Sequence, residues 1–505
     1  MHINFIDERI DLTFRYDPQL VERVKQIPGK TYDPKTRMWS CPDCVTTRAF
    51  IKHLLGMQIG YNVCEPQEDT GYIESAIKPF KHQENISKTM AWCYLQGRGL
   101  GVFAETGTGK TKAAIDAIMR VAPTKVLIVV PPPLIFVWQN EATKHGMSLT
   151  VVHGPKRSVP RHDESGIWIT SYQTLVNDIE RWKGNELGMV VVDESQCVKN
   201  PSADRTKAVA ALRCKCKFLL TGTPYGNEYA DVWSQIHIAY PYLFGPKKVF
   251  QAAFCEFGGW NGHEIVGYKN MELFMQILKR GAVVVRKVDC LDLPPKQYQT
   301  IELSMGPKQK AAYKRAMAGA VEDIPVTAVL AQIAKMRQIS SGFVYHPVDG
   351  TLRFENKKVE YLQSIAWDTP TVIWYNFDAE REDIEKCLKE TNVPYVVSSG
   401  NTDPKKAVTA FENGDSLVIV AQIQSLQYGV TLNRASRVIY YSPTFSALAR
   451  SQSEDRCHRI GQAKSVLYVD LVTSDIERWI IEAATSKVEV RDYILNKLLD
   501  KQHCA

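Results

Sequence analysis

The chain has 505 residues, 45% of them hydrophobic and 23% charged, with 30 glycines and 25 prolines scattered through it. That composition excludes a mainly disordered chain, a collagen-like repeat and a coiled-coil rod, and leaves length for about three domains. The 62 basic residues exceed the 55 acidic ones by a formal +7, a balance that permits a polyanionic partner without demanding one.

The first residues, MHINFIDERIDL, mix charge with short apolar pairs, so no secretory leader is expected. Ile10, Leu12 and Phe14 alternate with polar residues as in a strand, and Asp17 is placed to cap a short helix carrying Leu20, Val21, Val24 and Ile27. Tyr32-Asp33-Pro34 and Trp39 follow in a turn-rich stretch, and Ala49–Leu55 reads as another helix. Residues 1–58 are thus expected to form a small α+β module of their own, and 59–75 a linker. Cys41 and Cys44 have the spacing that opens a zinc site, but no second such pair follows, and Cys64 and Cys93 are the nearest other thiols. Buried, reduced thiols in a cytoplasmic setting are the default for 12 dispersed cysteines.

From about residue 76 strands and helices alternate. Gly101–Ala104, Val126–Val130, Trp168–Thr170, Val190–Val192 and Phe218–Leu220 have the continuous apolarity of buried parallel strands, and Lys110–Val121 is helical. The most apolar stretch, Val126–Trp138, contains three consecutive prolines and is too short to cross a bilayer, so no membrane association is expected. Residues 305–340 are helical in pattern. A second α/β region follows, with strands at Val372–Tyr375, Tyr395–Val397, Leu417–Ala421, Val438–Tyr441 and Val466–Leu471. The expected fold is α/β: two lobes with parallel sheets and helical insertions, at 76–290 and 291–505, behind the N-terminal module.

Three short runs carry chemistry. Ala104-Glu-Thr-Gly-Thr-Gly-Lys-Thr111 lies between an apolar strand and a helix. Gly107 and Gly109 let backbone amides turn toward phosphate oxygens, Lys110 adds a positive charge, and the Thr111 hydroxyl can ligate Mg²⁺. Asp193-Glu194 follows the strand Met189–Val192, where Asp193 can hold Mg²⁺ and Glu194 can orient and deprotonate a water. Arg456 and Arg459 are three apart, on one face if helical, and suit neutralisation of a transferred phosphate from the far half of the chain. The residues alone leave open a solvated acidic loop and a basic surface helix.

As an ordered series these runs resemble the motifs of superfamily 2 helicases, and within them the SNF2-like DNA translocases. Phe80-Lys-His-Gln83 resembles the adenine-reading glutamine motif, Ala104–Thr111 motif I, Leu127–Pro131 with Trp138 and Glu141 motif Ia, and Ile169–Tyr172 motif Ib. Asp193-Glu-Ser-Gln196 through Lys199-Asn200 resembles motif II and Leu220-Thr-Gly-Thr-Pro224 motif III. Arg337-Gln338-Ile339 and Leu293–Lys296 resemble spacer signatures, Ile373–Phe377 motif IV, Gln427–Asn433 motif V and Asp455–Gln462 motif VI. Departures are Ser195-Gln196 for the usual Ala-His, Gly226 for a glutamine, and Gln427 and Thr431 for Gly and Asn. They bear on coupling between DNA contacts and ATP turnover, since the catalytic Lys, Asp, Glu and both Arg are intact.

The resemblance implies two RecA-like lobes that use ATP and Mg²⁺, hydrolysing in the cleft between them. Its catalytic set is Lys110, Asp193, Glu194, Arg456 and Arg459. Nucleotide contacts fall on Gln83, Thr106, Gly107, Thr108, Gly109, Lys110, Thr111, Gly429 and Gln452, with Mg²⁺ on Thr111 and Asp193. DNA contacts fall on Pro131, Ser171, Tyr172 and Gln424. The N-terminal Val24-Lys25, Ile27-Pro28-Gly29, Tyr32-Asp33-Pro34 and Trp39 resemble the HARP domain of annealing helicases, which adds Lys25 and Trp39 to the DNA contacts. The implied function is an ATP-driven translocase on forks and four-way junctions, acting by branch migration, fork regression or strand annealing in replication, recombination or repair. A generic duplex-unwinding DNA or RNA helicase is the alternative, and a non-catalytic DNA-binding scaffold the remote one. Single-strand-binding or replication proteins are the further partners it raises. A monomer in a bacterial or phage-infected cytoplasm is expected, or a nuclear protein if the host is eukaryotic.

Overall fold

The computed structural model describes residues 1–57, 77–225, 228–259, 261–318, 326–346, 350–399, 404–423, 430–486, 493–494 and 497. It divides into two compact units, 1–290 and 291–505.

Among the described residues of the first unit, seven parallel strands form one sheet. Their order is Ala282–Val285, Leu100–Ala104, Cys214–Thr221, Leu187–Asp193, Lys125–Val130, Gly166–Ser171, Thr150–Val152. Helices cover both faces, which is why the central strands read as unbroken apolar runs rather than alternating ones. The chain leaves Leu100–Ala104 into the helix Lys110–Val121, while Thr221 and then Asp193 end the next two strands across the sheet. Phosphate loop, acidic pair and motif III therefore meet at the carboxyl edge of one sheet, where α/β folds place their ligands.

The N-terminal residues build an antiparallel sheet, Thr31–Asp33 beside Met38–Pro42, then Arg9–Thr13, then His2–Ile6. Asp17 caps Pro18–Val24, accepting from the amides of Gln19 and Leu20. The stretch expected to be turn-rich is a hairpin with its turn at 34–37: Tyr32 pairs with Trp39 across it, and their rings lie 4.8 Å apart. Alternation at 10–14 is also incomplete, because Asp11 is as buried as Ile10 and Leu12 and accepts from Ser40 and Arg9.

This small sheet has its own core of Ile10, Leu12, Val24, Ile27, Cys41 and Ile51. The other face of its helix Val45–Leu55 joins a second core. Val45 and Ala49 pack with Leu243, Phe244, Phe250, Phe254 and Phe274 of the insertion after motif III. Thr46 donates to the Leu243 carbonyl at 3.2 Å, and Tyr242 donates to Asp43 at 3.2 Å. The N-terminal sheet thus has a core of its own and a helix that also packs on the insertion.

In the second unit, six described parallel strands run in the order Gln297–Glu302, Leu467–Val472, Arg437–Tyr440, Thr371–Tyr375, Val418–Gln422, Tyr395–Ser398. The helical insertion is Pro307–Ala318 and Val326–Ser340. Among the described residues no helix is long and apolar enough to cross a membrane.

Candidate nucleotide site and its connections

Gly107 and Gly109 both take φ of +87°, a left-handed conformation that glycine adopts without penalty. Gly109 caps the helix Lys110–Val121 with no side chain on its first amides, so those donors and the positive helix end face the loop. Lys110 is buried and donates to the Ala104 carbonyl at 2.8 Å. Thr108 is fully buried, and its hydroxyl donates back to the Glu105 carbonyl at 2.7 Å. Its own carbonyl accepts from Gln83 Nε2 at 3.0 Å and lies 2.8 Å from His82 Nε2. Gln83 Oε1 accepts from the Phe80 amide at 3.1 Å, so both ends of the Gln83 side chain hold the loop and its helix. A β-carbon on Gly109 would sit 2.1 Å from Gln83 Nε2, and one on Gly222 would sit 2.7 Å from Thr106 Oγ1. Glycine suits position 109 by its left-handed φ, and position 222 because the Thr106 backbone nitrogen would lie 2.9 Å from a β-carbon. A glycine-turned loop, uncapped helix amides, a lysine, a Thr111 hydroxyl and a carboxylate are the donor and acceptor set that a nucleotide triphosphate with Mg²⁺ needs.

The carboxylate is Asp193. Its Oδ2 accepts from the indole of Trp138 at 2.8 Å and its Oδ1 from the Glu194 amide at 2.9 Å. Burial and the negative charge of Glu194 raise its pKa to about 6, against the opposing pull of Lys110 and Trp138. Glu194 has φ of +51°, unusual for a non-glycine residue. Gln196 donates to Glu194 Oε2 at 2.7 Å and accepts from Thr221 Oγ1 at 2.7 Å. The departure from the family pattern at 196 therefore still joins motif II to motif III. Ser195, the other departure, donates to Gln235 Oε1 at 2.8 Å.

The expected DNA contacts of this unit lie at different depths. Pro131, Ser171 and Tyr172 are all buried. Ser171 caps the helix Tyr172–Trp182 by accepting from the Thr174 amide, and Tyr172 donates to the Asp193 carbonyl at 2.6 Å. Burial of a hydroxyl requires an internal partner, and these have one. Lys25 is exposed and paired with Glu22 at 2.6 Å, while Trp39 is half-buried against Tyr32. Gln424 and Gly429 lie outside the described residues, as do Gly226 and Gln427.

In the second unit the helix Ala447–Cys457 ends between Arg456 and Arg459, so the two do not share a helical face. They converge all the same: Nη1 of each reaches the Val430 carbonyl, at 3.5 and 3.2 Å. Arg459 also donates to Thr431 Oγ1 at 2.9 Å, giving the Thr for Asn departure a partner. Gln462 donates to the carbonyls of Asn433, Ala435 and Cys457, which fastens motif V to motif VI. Gln452 is buried on the same helix, and its Oε1 has no hydrogen-bond partner among the described residues.

Cys41 and Cys44 are buried free thiols; Cys44 caps the helix Val45–Leu55, and burial pushes Cys41 up to about 12. No group of three or more His, Cys, Asp or Glu suited to a metal occurs among the described residues. Sequence reasoning missed Gln235. The signal was an amide on the helix Asp231–Ala239, beside the inward positions Val232, Trp233, Ser234, Ile236 and Ala239.

Comparison with known proteins places these motifs in a family. A HepA-related protein (HARP) model matches residues 10–42, and the helicase conserved C-terminal domain matches 357–461. An ATP-dependent helicase of Mycoplasma pneumoniae, itself uncharacterized, is 26% identical over 421 residues, covering 77% of this chain and 40% of that protein. The human SWI/SNF-related matrix-associated actin-dependent regulator of chromatin subfamily A member 1 is 24% identical over 448 residues, covering 80% of this chain and 42% of that one. The chain thus spans about two fifths of the length of these curated relatives. The Sulfolobus solfataricus SWI2/SNF2 ATPase core, solved with dsDNA, aligns over 84% of this chain and 93% of that one at 24% identity, with a TM-score of 0.42. The SNF2-related domain model matches residues 82–352, more than half of the sequence, and the chain belongs to that family.

Proposed function

We propose that the chain is an ATP-driven, DNA-dependent translocase that acts on branched duplex DNA. The observation that carries the ATPase part is the bonded series at one sheet edge: Lys110 in a glycine-turned loop, Asp193 held by Trp138, and Glu194 joined through Gln196 to Thr221. ATP and Mg²⁺ are the ligands this set suits, with Thr111 and Asp193 on the metal and Glu194 on the water. Arg456 and Arg459 are the proposed source of positive charge for the transferred phosphate. Duplex DNA as the track is supported by family membership, and preference for forks by the HARP match at 10–42. Backbone contacts of this kind position the enzyme without reading sequence and weaken steeply with salt.

The test is ATP hydrolysis with matched amounts of single strand, linear duplex, three-way fork and RNA at two salt concentrations. Strongest stimulation by the fork, absent in Lys110→Ala, is expected. Equal stimulation by linear duplex and fork removes the branched-DNA part, and stimulation by RNA alone removes the DNA part.

A further inference from the structure

We propose that Gln235, which lies outside the motifs of the nucleotide site, is a positioning residue that makes the acidic loop and the motif III loop move as one body. The inference rests on the ATPase reading above.

Gln235 sits on the second turn of Asp231–Ala239 with no exposed surface. A buried amide among Val232, Trp233, Ile236 and Ala239 is costly unless every polar atom is matched. Here every one of its bonds outside the helix goes to one of two loops. Its Oε1 accepts from the Ser195 hydroxyl, next to Glu194, at 2.8 Å. Its Nε2 donates at 2.8 Å to the carbonyl of Pro224, which closes motif III, and at 3.2 Å to the Asp231 carbonyl of its own helix. The neighbouring Ser234 donates to the Val198 carbonyl at 2.7 Å, so the same helix also grips the turn that follows Ser195. Ser195 is itself fully buried, leaving its hydroxyl no solvent alternative.

Gln235 touches no reacting group. Its effect passes through Ser195 to Glu194 and through Pro224 to Thr221, two residues that Gln196 also joins from the other side. With two amide bridges in parallel, a displacement of motif III is delivered to the catalytic carboxylates rather than absorbed between them. One bridge alone leaves a hinge. Leucine at 235 would fill the space and keep the helix, but would orphan the Ser195 hydroxyl and the Pro224 carbonyl.

The experiment compares the full chain with Gln235→Leu, Ser195→Ala and the double variant, measuring basal and duplex-stimulated ATP hydrolysis beside thermal melting. Gln235→Leu is expected to lose about tenfold in DNA-stimulated kcat with the ATP KM within about twofold, the size of an orphaned buried polar group. Ser195→Ala should add nothing in the Gln235→Leu background, since its partner is already gone. A lowered melting temperature with an unchanged ratio of stimulated to basal rate would make Gln235 a packing residue and overturn the proposal. Amide exchange on the same proteins separates this from failure of the ATPase reading. Faster exchange in Gln235→Leu at both 194–198 and 221–225 supports the strut whether or not the wild type hydrolyses ATP, and a change at one loop alone refutes it.

Discussion

The indole nitrogen of Trp138 donates a 2.8 Å hydrogen bond to the carboxylate of Asp193, 55 positions further along the chain. Trp138 is fully buried on the helix Leu134–Lys144, which starts directly after the prolines that end the strand Lys125–Val130. Tyr172 reaches the carbonyl of the same Asp193 from the next strand–helix corner. Two corners expected to face DNA thus end, inside the protein, on one residue, Asp193, the proposed metal ligand.

A pH dependence follows. Asp193 has its pKa raised to about 6, chiefly by burial and then by Glu194. It must be ionised to hold a cation, so hydrolysis should be full above that value and fall as pH drops through it. Excess Mg²⁺ should move the acid limb to lower pH by competing with the proton. Trp138→Phe removes a donor that stabilises the ionised form, so its limb should move to higher pH. A profile flat down to the ordinary carboxylate range would show that Asp193 is not the group being titrated.

The bond chain from Glu194 through Gln196 to Thr221 predicts non-additivity. Gln196→Ala and Thr221→Val should each lower kcat by about tenfold, and the double variant by little more than either. Multiplying losses would mean that the two side chains act separately.

Much of this was legible in the sequence because strong local constraints wrote it there. The parallel strands of both sheets are buried on two faces, so Val126–Val130 and Val190–Val192 stand out as runs, and Gly107 and Gly109 mark a turn that other residues cannot make. Trp39 was misplaced in a turn because a hairpin of short strands, three and five residues long, leaves almost no alternation to read. The DNA role expected of Ser171 and Tyr172 rests on motif position, whereas the bonds that hold Tyr172 inside run to residues 21 and 22 positions away. Gln235 was invisible for the same reason, since its partners lie 40 and 11 positions off. The docking of Val45 and Ala49 on Phe244 and Phe254 joins segments about two hundred residues apart and could not be read from either.

That docking has an experimental consequence. Removing residues 1–57 should uncover the Phe244, Phe250 and Phe254 cluster, lower the melting temperature of the first unit and raise binding of an apolar dye. An unchanged melt would show that the N-terminal layer is detachable. Lys25→Ala and Tyr32→Ala, both on exposed positions, are the cleaner probes of a role in DNA binding.

Lys358 and Glu477 form an ion pair at 2.5 Å with both side chains out of solvent, and Lys358 also donates to the Tyr441 carbonyl at 2.7 Å. Breaking such a pair leaves a buried charge alone, so Lys358→Met should destabilise the second unit by about 3–5 kcal/mol. Lys358→Met with Glu477→Gln should recover a large part of that, because the remaining amide is neutral and still accepts from the Thr473 amide. Denaturant titration of the three proteins measures both effects. Equal stability of the single and double variants would contradict the electrostatic account.

The most direct measurement is fork regression followed in real time with the intact chain, ATP and Mg²⁺, beside Lys110→Ala. ATP-dependent regression by the wild type, abolished in Lys110→Ala and faster than displacement of a third strand from linear duplex, is the predicted result. Regression that proceeds equally with Lys110→Ala, or a wild type that hydrolyses ATP on forks without moving them, would contradict the reading of this chain as a motor for branched DNA.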